Sequence, residues 1–252
     1  MIGGIDLGSR SVKIAWMEKG LYKGFQCANT IDFYRNYGSM REGRLAIDFI
    51  KLGLPSFERV VSTGYGRNTI DLAAGEALPE LKAHLLGALH QTGLQDFTLL
   101  DLGGQDSKVI KVRRGKMVDF QTNDKCAAST GRYLENMAGV LGISVDELSK
   151  HSEEPVELNA TCAIFGESEL IGKITEGNPL ANLSAGINYT IFKRIQPMLR
   201  QLASPTLVFT GGVAHNEALK EIIARKMDME VIVPEHPQYN GAIGCCVYGG
   251  GL

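Results

Sequence analysis

The chain contains an internal repeat, and this repeat limits the possible fold more than any other feature of the sequence. A shift of 95 residues, from Asp6 to Asp101, superimposes Asp-Leu-Gly on Asp-Leu-Gly, and the register continues without a gap as far as residue 26. The same shift superimposes further positions: Lys13 on Lys108, Gly20 on Gly115, and Phe25-Gln26 on Phe120-Gln121. A run of matches in one register indicates duplication, so we predict two halves of the same architecture.

Each copy of the repeat predicts three antiparallel strands. Short apolar runs alternate with turns that contain glycine, which is the pattern of β-hairpins. We expect these strands at residues 2–7, 12–17 and 21–26, and again at 97–102, 107–112 and 116–121. Elsewhere we predict helices at residues 45–54, 81–91, 131–141, 164–175, 183–202, 215–226 and 239–248, and strands at 59–62, 206–210 and 230–233.

Length and composition are compatible with two such halves. At about 150 residues per domain, a chain of 252 residues forms one large domain or two small ones. Hydrophobic residues make up 44% of the chain, which is enough for a full core and excludes disordered and collagen-like classes. We expect domains at residues 1–94 and 95–252, and we allow the last helix to pack back on the first half.

Charge and hydropathy exclude two classes of partner. The 26 basic and 28 acidic residues leave a net charge of −2, so no electrostatic attraction toward nucleic acid or an anionic membrane is expected. No apolar run approaches the roughly 18 residues that a spanning helix needs. The N-terminus has no basic region ahead of a hydrophobic segment, as a signal peptide would, so we expect a cytoplasmic protein.

A turn that contains glycine follows the first strand of each copy. The two turns are Gly8-Ser9-Arg10-Ser11 and Gly103-Gly104-Gln105-Asp106. A phosphate chain needs backbone N–H donors at close range, and glycine lets the backbone approach closely. The alternative interpretation is a pair of ordinary hairpin turns. Because the two turns recur in register, we favour phosphate binding by all of these residues.

Charged residues accompany both turns. Asp6 and Asp101 end their strands there, and two carboxylates facing a phosphate chain need a cation such as Mg²⁺ between them, held partly through water. Lys13 lies in the next strand, within reach of a β- or γ-phosphate. No residue stands out as a general base, but hydrolysis depends mostly on positioning. Gln105, Asp106 and Asp101 are candidates to orient the water, and we assign Asp101, Gln105 and Asp6 as the catalytic candidates.

A third glycine turn follows an apolar strand and precedes a helix. It spans residues 209–216, where glycines would let a flat nucleoside lie against the backbone and the helix N-terminus could face a phosphate. The alternative is an ordinary tight turn between a strand and a helix. Three such turns together predict ATP binding without a Walker A or G-x-G-x-x-G motif. The nucleotide contacts expected here are Gly211, Gly212, Val213 and Asn216.

Two of the five cysteines lie at positions suited to metal binding. Cys126 and Cys162 each come just before a predicted helix, whose N-terminus favours a thiolate and donates N–H groups to sulfur. A cubane cluster needs four cysteines, so a two-fold dimer would have to supply two from each chain. Two alternatives stay open: both residues are buried structural cysteines, or Cys245 and Cys246 complete a cluster within one chain.

The combination of motifs resembles a known family over nearly the whole chain. The segments that carry the resemblance are Asp101-Leu-Gly-Gly-Gln-Asp106, Asn123-Asp-Lys-Cys-Ala-Ala128, Thr161-Cys162 and Thr210-Gly-Gly-Val-Ala214. They look like those of the ATPase activators of 2-hydroxyacyl-CoA dehydratases. That family includes ATPase subunits of benzoyl-CoA reductases and reductases of double-cubane-cluster proteins.

The resemblance implies a fold, a dimer and a cofactor. The fold is an α/β, actin-like ATPase (ASKHA) fold with two duplicated ribonuclease-H-like halves around a nucleotide cleft. The protein would be a homodimer with one bridging [4Fe–4S] cluster, for which Cys126 and Cys162 match the ligand positions. The remaining cysteines match no ligand position and are expected to be small core residues: Cys27, Cys245 and Cys246.

The resemblance also implies a function, which is ATP-dependent reduction of a partner. Ferredoxin or flavodoxin would reduce the cluster, and ATP hydrolysis would accompany electron transfer to an acceptor iron–sulfur protein. The acceptor would be a 2-hydroxyacyl-CoA dehydratase or a double-cubane-cluster protein. The alternatives are a small-molecule kinase of the actin-like fold, which has no use for the two cysteines, and a non-redox reactivating ATPase.

Overall fold

The structure is a computed structural model that describes residues 1–41, 44–66, 70–71, 75–123, 130–160 and 163–251. The chain divides into two compact units, one formed by Met1–Leu94 with Gln238–Leu252 and the other by Gln95–Pro237. Each unit contains its own main sheet and its own hydrophobic core.

The strands and helices follow each other in the same general order in the two units. The strands of the first unit are β1 (Ile2–Leu7), β2 (Ser11–Glu18), β3 (Leu21–Asn29), β4 (Gly38–Arg41), β5 (Arg44–Ile47), β6 (Arg59–Gly64), β7 (Ile70–Asp71) and β8 (Glu76–Ala77). Those of the second unit are β9 (Phe97–Leu102), β10 (Ser107–Arg113), β11 (Lys116–Asn123), β12 (Thr206–Thr210) and β13 (Glu230–Ile232). The helices are α1 (Thr30–Tyr37), α2 (Glu80–Thr92), α3 (Gly131–Leu141), α4 (Val145–Leu148), α5 (Ala163–Thr175), α6 (Leu180–Gln201), α7 (Glu217–Met227) and α8 (Asn240–Gly250).

The two main sheets have the same topology. Their strand orders are β3-β2-β1-β6-β8 and β11-β10-β9-β12-β13, with the first three strands antiparallel and the rest parallel. Even an irregularity recurs. The register shifts between Trp16 and Met17 in β2 and, 95 residues later, between Lys111 and Val112 in β10. The predicted duplication is therefore confirmed, down to the position of a β-bulge.

The hairpin turns between the second and third strands of each sheet also match. Lys19 and Gly20 both have positive φ angles, 51° and 78°, and so do Arg114 and Gly115, at 49° and 68°. Two consecutive residues of positive φ are the geometry of a type I′ turn, whose twist suits the flanking strands. The glycine that sequence analysis finds in each turn supplies one of these conformations at no steric cost.

The core of the second unit forms between its sheet and helices α3, α6 and α7. Helix α6 buries an apolar stripe with a spacing of four residues, which keeps the stripe on one face. This stripe consists of Leu183, Ile187, Ile191, Ile195 and Leu199. Burial of each such side chain contributes about 1.5–3 kcal/mol. None of the helices in the described ranges is long and apolar enough to cross a membrane.

The last helix belongs to the first unit because small residues let backbones touch. A Cβ atom on Gly244 would overlap the carbonyl oxygen of Ala83 in α2, and one on Gly4 would overlap that of Ala242 in α8. Glycine at these positions brings α8 directly against α2 and β1. Sequence reasoning divides the chain after residue 94 and allows this helix to pack back; in the structure α8 lies with residues 1–94.

One predicted helix is wrong, and two helices, α1 and the short α4, were not predicted. Residues 45–54, predicted as a helix, contain part of strand β5 and then a turn. In this turn the carboxylate of Asp48 accepts a hydrogen bond from the Lys51 N–H (3.1 Å), and Gly53 takes a φ of 69°. Helix α1 was not predicted, although Asn29 caps it by accepting a hydrogen bond from the Ile31 N–H at 2.9 Å. The other predicted helices and strands are confirmed, with ends that differ by a few residues.

Candidate functional site

A buried aspartate near the end of the central strand of each main sheet faces a lysine on the next strand. Asp6 lies opposite Lys13, and Asp101 lies opposite Lys108. In the second unit the Lys108 Nζ lies 3.8 Å from Asp101 Oδ2 and also contacts the Asp106 carboxylate. Sequence reasoning selected Lys13 and missed Lys108, although the 95-residue register superimposes the two lysines.

A threonine fixes the other oxygen of Asp101. Thr210 lies opposite Asp101 across β12 and β9, and its hydroxyl donates a hydrogen bond of 2.9 Å to Asp101 Oδ1. The aspartate is only 3% exposed, and both this hydroxyl and the Lys108 ammonium group lie against its carboxylate. Thr210 lies in the third glycine turn, but sequence reasoning did not assign it a role.

The carboxylate of Asp6 lies between two glycines. Cβ positions built on Gly64 and Gly241 fall 2.9 Å from its Oδ1 and 3.0 Å from its Oδ2. The pKa of the Tyr34 hydroxyl is raised, mainly because the hydroxyl is buried and in addition because of the charge of Asp6. A larger residue at either glycine would press directly on this carboxylate, so both positions keep space around it.

The first glycine turn lies beside the predicted lysine. Ser9 and Arg10 are exposed at the tip of the hairpin between β1 and β2. A Cβ on Gly8 would fall 2.8 Å from the Ser11 carbonyl oxygen and 3.2 Å from the Lys13 Nζ. The structure therefore brings the Lys13 ammonium group next to the turn, as an anion-binding role requires.

The second glycine turn has its carbonyl groups bound to the start of α3. The Gly131 N–H donates to the Gly103 carbonyl at 3.0 Å, and the Arg132 N–H donates to the Gly104 carbonyl at 3.1 Å. In a trans peptide the C=O and the following N–H point in opposite directions. The N–H groups of Gly104 and Gln105 are therefore directed away from α3. Successive N–H groups of this kind form an anion-binding concavity.

The two glycines of the third turn have different environments. Gly211 has φ 87° and ψ 174°, and a Cβ there would overlap the carbonyl oxygen of Leu102. Gly64 has the same relation to Leu7 in the first unit, with φ 91° and a Cβ position 2.7 Å from the carbonyl oxygen. Gly212 is exposed, and its Cβ position has no described atom within 4 Å. Gly211 is thus required by the fold, whereas Gly212 leaves bare backbone facing open space.

The two remaining residues predicted in this turn have side chains with structural partners. Val213 is buried in the core of the second unit. Asn216 caps α7 by accepting a hydrogen bond from the Leu219 N–H, and its amide donates to the Asn188 side chain, both at 2.8 Å. Any contact of Val213 with a nucleotide would therefore come from its backbone.

Cys126 and Cys162 lie outside the described residues, but the chain just before Cys162 is firmly held. The Glu169 carboxylate on α5 accepts hydrogen bonds of 2.8 Å from the N–H groups of Asn159 and Ala160. Arg194 on α6 donates to the Ala160 carbonyl, also at 2.8 Å. Among the described residues, no group of three or more histidine, cysteine, aspartate or glutamate side chains is arranged to hold a metal ion.

The other cysteines divide into one exposed and two buried residues. The prediction that Cys27 is a core residue is wrong, because it is exposed on β3, an outer strand of its sheet. Cys245 and Cys246 are buried, as predicted, and the Cys246 thiol donates to the Ala15 carbonyl at 3.2 Å. Burial raises the pKa of Cys246 to about 12 and that of Cys245 well above its ordinary value. Both residues are therefore small core residues, as the resemblance led us to expect.

Comparison with known proteins shows that the chain is similar to dehydratase activators. The chain is 34% identical to a 2-hydroxyisocaproyl-CoA dehydratase activator of Clostridioides difficile, over 97% of this chain and 93% of the relative. A solved structure of an activator of the 2-hydroxyisocaproyl-CoA dehydratase from Clostridium difficile with bound ADPNP is 31% identical. It superimposes with a TM-score of 0.84 over 98% of this chain and 93% of that one.

A second solved structure supports the same relationship. Component A of the (R)-2-hydroxyglutaryl-CoA dehydratase of Acidaminococcus fermentans is 30% identical, with a TM-score of 0.82 over 98% of this chain and 96% of that one. The predicted actin-like ATPase fold is confirmed. The model of the BadF/BadG/BcrA/BcrD ATPase family matches residues 4–249. With its duplicated aspartate–lysine pairs and glycine turns, the chain belongs to the BadF/BadG/BcrA/BcrD ATPase family.

Proposed function

We propose that this chain is an ATP-driven electron donor. It hydrolyses ATP and, as a homodimer, delivers a low-potential electron from a shared [4Fe–4S] cluster to an acceptor iron–sulfur protein. The acceptor is a 2-hydroxyacyl-CoA dehydratase or a double-cubane-cluster protein, and ferredoxin or flavodoxin is the donor, in the cytoplasm. The observation that carries this proposal is the duplicated aspartate–lysine pair beside a glycine turn, in a chain similar to named dehydratase activators.

The ATP-binding roles follow from the chemistry of the two turns. Backbone N–H groups of residues 8–11 and 103–106 would bind phosphate oxygens, with Lys13 adding positive charge. Asp6 and Asp101 would hold Mg²⁺ through water, since hard cations prefer carboxylate and water oxygens. Gln105, exposed at the tip of its turn, would orient the hydrolytic water. A similar solved structure with bound ADPNP supports the binding of ATP by this chain.

The nucleoside would lie on the bare backbone at Gly212. That position is exposed and has no described atom near the place of a Cβ. Gly211 would shape the turn without contacting the base. The side chains of Val213 and Asn216 would support this site indirectly, because Val213 packs in the core and Asn216 caps α7.

The two cysteines fit an iron–sulfur cluster in donor chemistry and in sequence position. Cys126 and Cys162 would supply two thiolates from each chain. Helix α5 begins directly after Cys162. The first turns of α3 and α5 contain no acidic residue that would offset the partial positive charge of the helix N-terminus. That charge stabilises thiolates. When bound, such a cluster supplies one-electron transfer at low potential.

The experiment that tests the proposal is anaerobic purification with iron, ATPase and electron-transfer measurements. We expect a brown dimer with about four iron atoms, as one [4Fe–4S] cluster requires, and ATP-dependent reduction of a dehydratase partner. Cys126→Ala and Cys162→Ala should lose the iron, while the control Cys246→Ala should retain it. A colourless ATPase would contradict the electron-transfer role. Phosphorylation of a sugar or a short acid without iron would instead indicate a kinase.

A further inference from the structure

A threonine at the start of a helix is bonded to each of the two phosphate-binding turns. The Thr30 hydroxyl, on the first residue of α1, donates to the Gly8 carbonyl at 2.7 Å. The Thr130 hydroxyl, on the residue just before α3, donates to the Gly104 carbonyl at 2.9 Å. Each threonine follows the third strand of its own sheet, so the arrangement occurs twice, once in each unit.

Neither hydroxyl is used to cap its helix. The cap of α1 is Asn29, the residue before Thr30. Thr130 occupies the cap position of α3 but, in the described part of that helix, its side chain makes no capping hydrogen bond. A threonine at a helix start ordinarily accepts a hydrogen bond from the first turn of the helix. Here the hydroxyls act instead as donors to the glycine turns.

Backbone bonds complete the attachment of the turns. The Thr30 N–H donates to the Arg10 carbonyl at 3.2 Å, so this residue holds two carbonyls of the first turn. In the second turn the Gly104 carbonyl accepts from both the Thr130 hydroxyl and the Arg132 N–H. Because C=O and the following N–H oppose each other in a trans peptide, holding these carbonyls directs the next N–H groups to the opposite side.

We propose that Thr30 and Thr130 are positioning residues for nucleotide binding. Each threonine holds its turn in one orientation. The backbone N–H donors of the turn therefore already point toward the phosphate position before the nucleotide binds. Preorganised donors bind an anion more tightly because they need not reorder when it binds. This inference rests on the proposed ATP binding, and it assigns both threonines a role although neither need touch the nucleotide.

The test compares variants that remove or keep the hydroxyl. Thr30→Val and Thr130→Val remove it at nearly constant shape, whereas Thr30→Ser and Thr130→Ser keep it. We would measure the Kd of a non-hydrolysable ATP analogue with Mg²⁺, together with Tm, on the anaerobic dimer. Loss of one hydrogen bond predicts about three- to tenfold weaker binding for each valine variant. The serine variants should bind within about twofold of the wild type, since the same bond is retained.

Two threonines remote from the turns provide matched controls. The Thr92 hydroxyl bonds the Ala88 carbonyl within α2, and Thr206 lies at the opposite end of β12 from Thr210. Thr92→Val and Thr206→Val should leave the Kd unchanged. Hydrogen exchange provides a second readout without nucleotide: the Gly104 and Gln105 amides should exchange faster in Thr130→Val but not in Thr206→Val.

The outcomes separate this inference from the proposed function. If the wild type does not bind the analogue, ATP binding itself is wrong. If the wild type binds but the valine variants bind equally well, the positioning role is overturned. If a valine variant does not fold, Thr30→Ala and Thr130→Ala replace it. Equal amide exchange and equal Kd in these variants would likewise contradict the inference.

Discussion

The Lys108 ammonium group lies 3.8 Å from the Asp101 carboxylate, and the two residues face each other across β10 and β9 with 5% and 3% exposure. Asp6 and Lys13 occupy the same cross-strand positions in the other sheet. A carboxylate this buried needs a partner to remain charged, because desolvation penalises an unpaired charge. The lysine therefore supplies a charge partner for this aspartate at the place where the proposed site lies.

Replacing Lys108 with methionine should destabilise the protein strongly. Removal of one partner from a buried ion pair costs about 3–5 kcal/mol, and we expect a loss of this size in the free energy of unfolding in urea at neutral pH. Lys111→Met is the control, since Lys111 lies on the same strand and bonds only the Ala203 carbonyl among the contacts described for it, at 2.9 Å. Equal stability of the two variants would contradict the structural role of Lys108. Adding Asp101→Asn to Lys108→Met should recover part of the loss.

Alanine at two adjacent glycines should affect two different properties, stability at Gly211 and ATP binding at Gly212. Gly211→Ala should reduce stability, because the conformation of Gly211 costs other residues about 1–3 kcal/mol and its Cβ would also overlap the Leu102 carbonyl. Gly212→Ala should leave Tm nearly unchanged, since its Cβ meets open space. It should weaken ATP binding, because the methyl group stands where we place the nucleoside. Normal ATP affinity in Gly212→Ala would argue against that placement.

Glutamine at Glu169 should make the proposed cluster easier to remove. The carboxylate accepts hydrogen bonds from two N–H groups in the chain just before Cys162, and a bond to a charged group contributes about 1.5–3 kcal/mol. We expect Glu169→Gln to lose iron to a chelator several times faster than the wild type, measured by the decay of visible absorbance. Glu176→Gln provides the control, because the partners described for Glu176 are Lys173 and Asn178, near the end of α5. Equal decay in both variants would show that Glu169 does not support the cluster.

The three cysteines outside the predicted ligand set should differ in reactivity. Cys27 is exposed, so iodoacetamide should modify it in the native protein. Cys245 and Cys246 are buried, and with the Cys246 pKa raised to about 12 its thiolate fraction at about pH 8 is very small. Peptide mass spectrometry should show modification of these two only after unfolding. Rapid modification in the native state would contradict the packing of α8 against β1.

A contact between Tyr248 and Glu76 should make stability depend on pH. The Tyr248 hydroxyl donates to the Glu76 carboxylate at 2.7 Å and, together with Arg59, lowers the pKa of Glu76. A lowered carboxyl pKa stabilises the folded state above the unfolded value, and this contribution disappears as pH falls through the folded value. Tyr248→Phe should raise the pKa of Glu76 and lower Tm at neutral pH, with a smaller difference near pH 3. A constant difference in Tm at all pH values would rule out this linkage.

Sequence patterns predicted most of the helices and strands because those patterns are local. Alternating apolar runs between Gly-containing turns define the meanders, and the 95-residue register identifies Asp6 with Asp101. The wrong helix at residues 45–54 and the missed α1 share one cause. A polar side chain, Asp48 in the first case and Asn29 in the second, bonds the nearby backbone and decides the local conformation.

The duplication, the three glycine turns and the paired aspartates follow from the sequence by itself, because each requires only particular residues at a fixed spacing. The tertiary structure decided which distant groups meet these residues. The hydroxyls of Thr30 and Thr130 reach glycine carbonyls 22 and 26 residues earlier in the chain. Thr210 reaches Asp101 across 109 residues. Such contacts depend on the path of the backbone between the partners, and no pattern of neighbouring residues encodes that path.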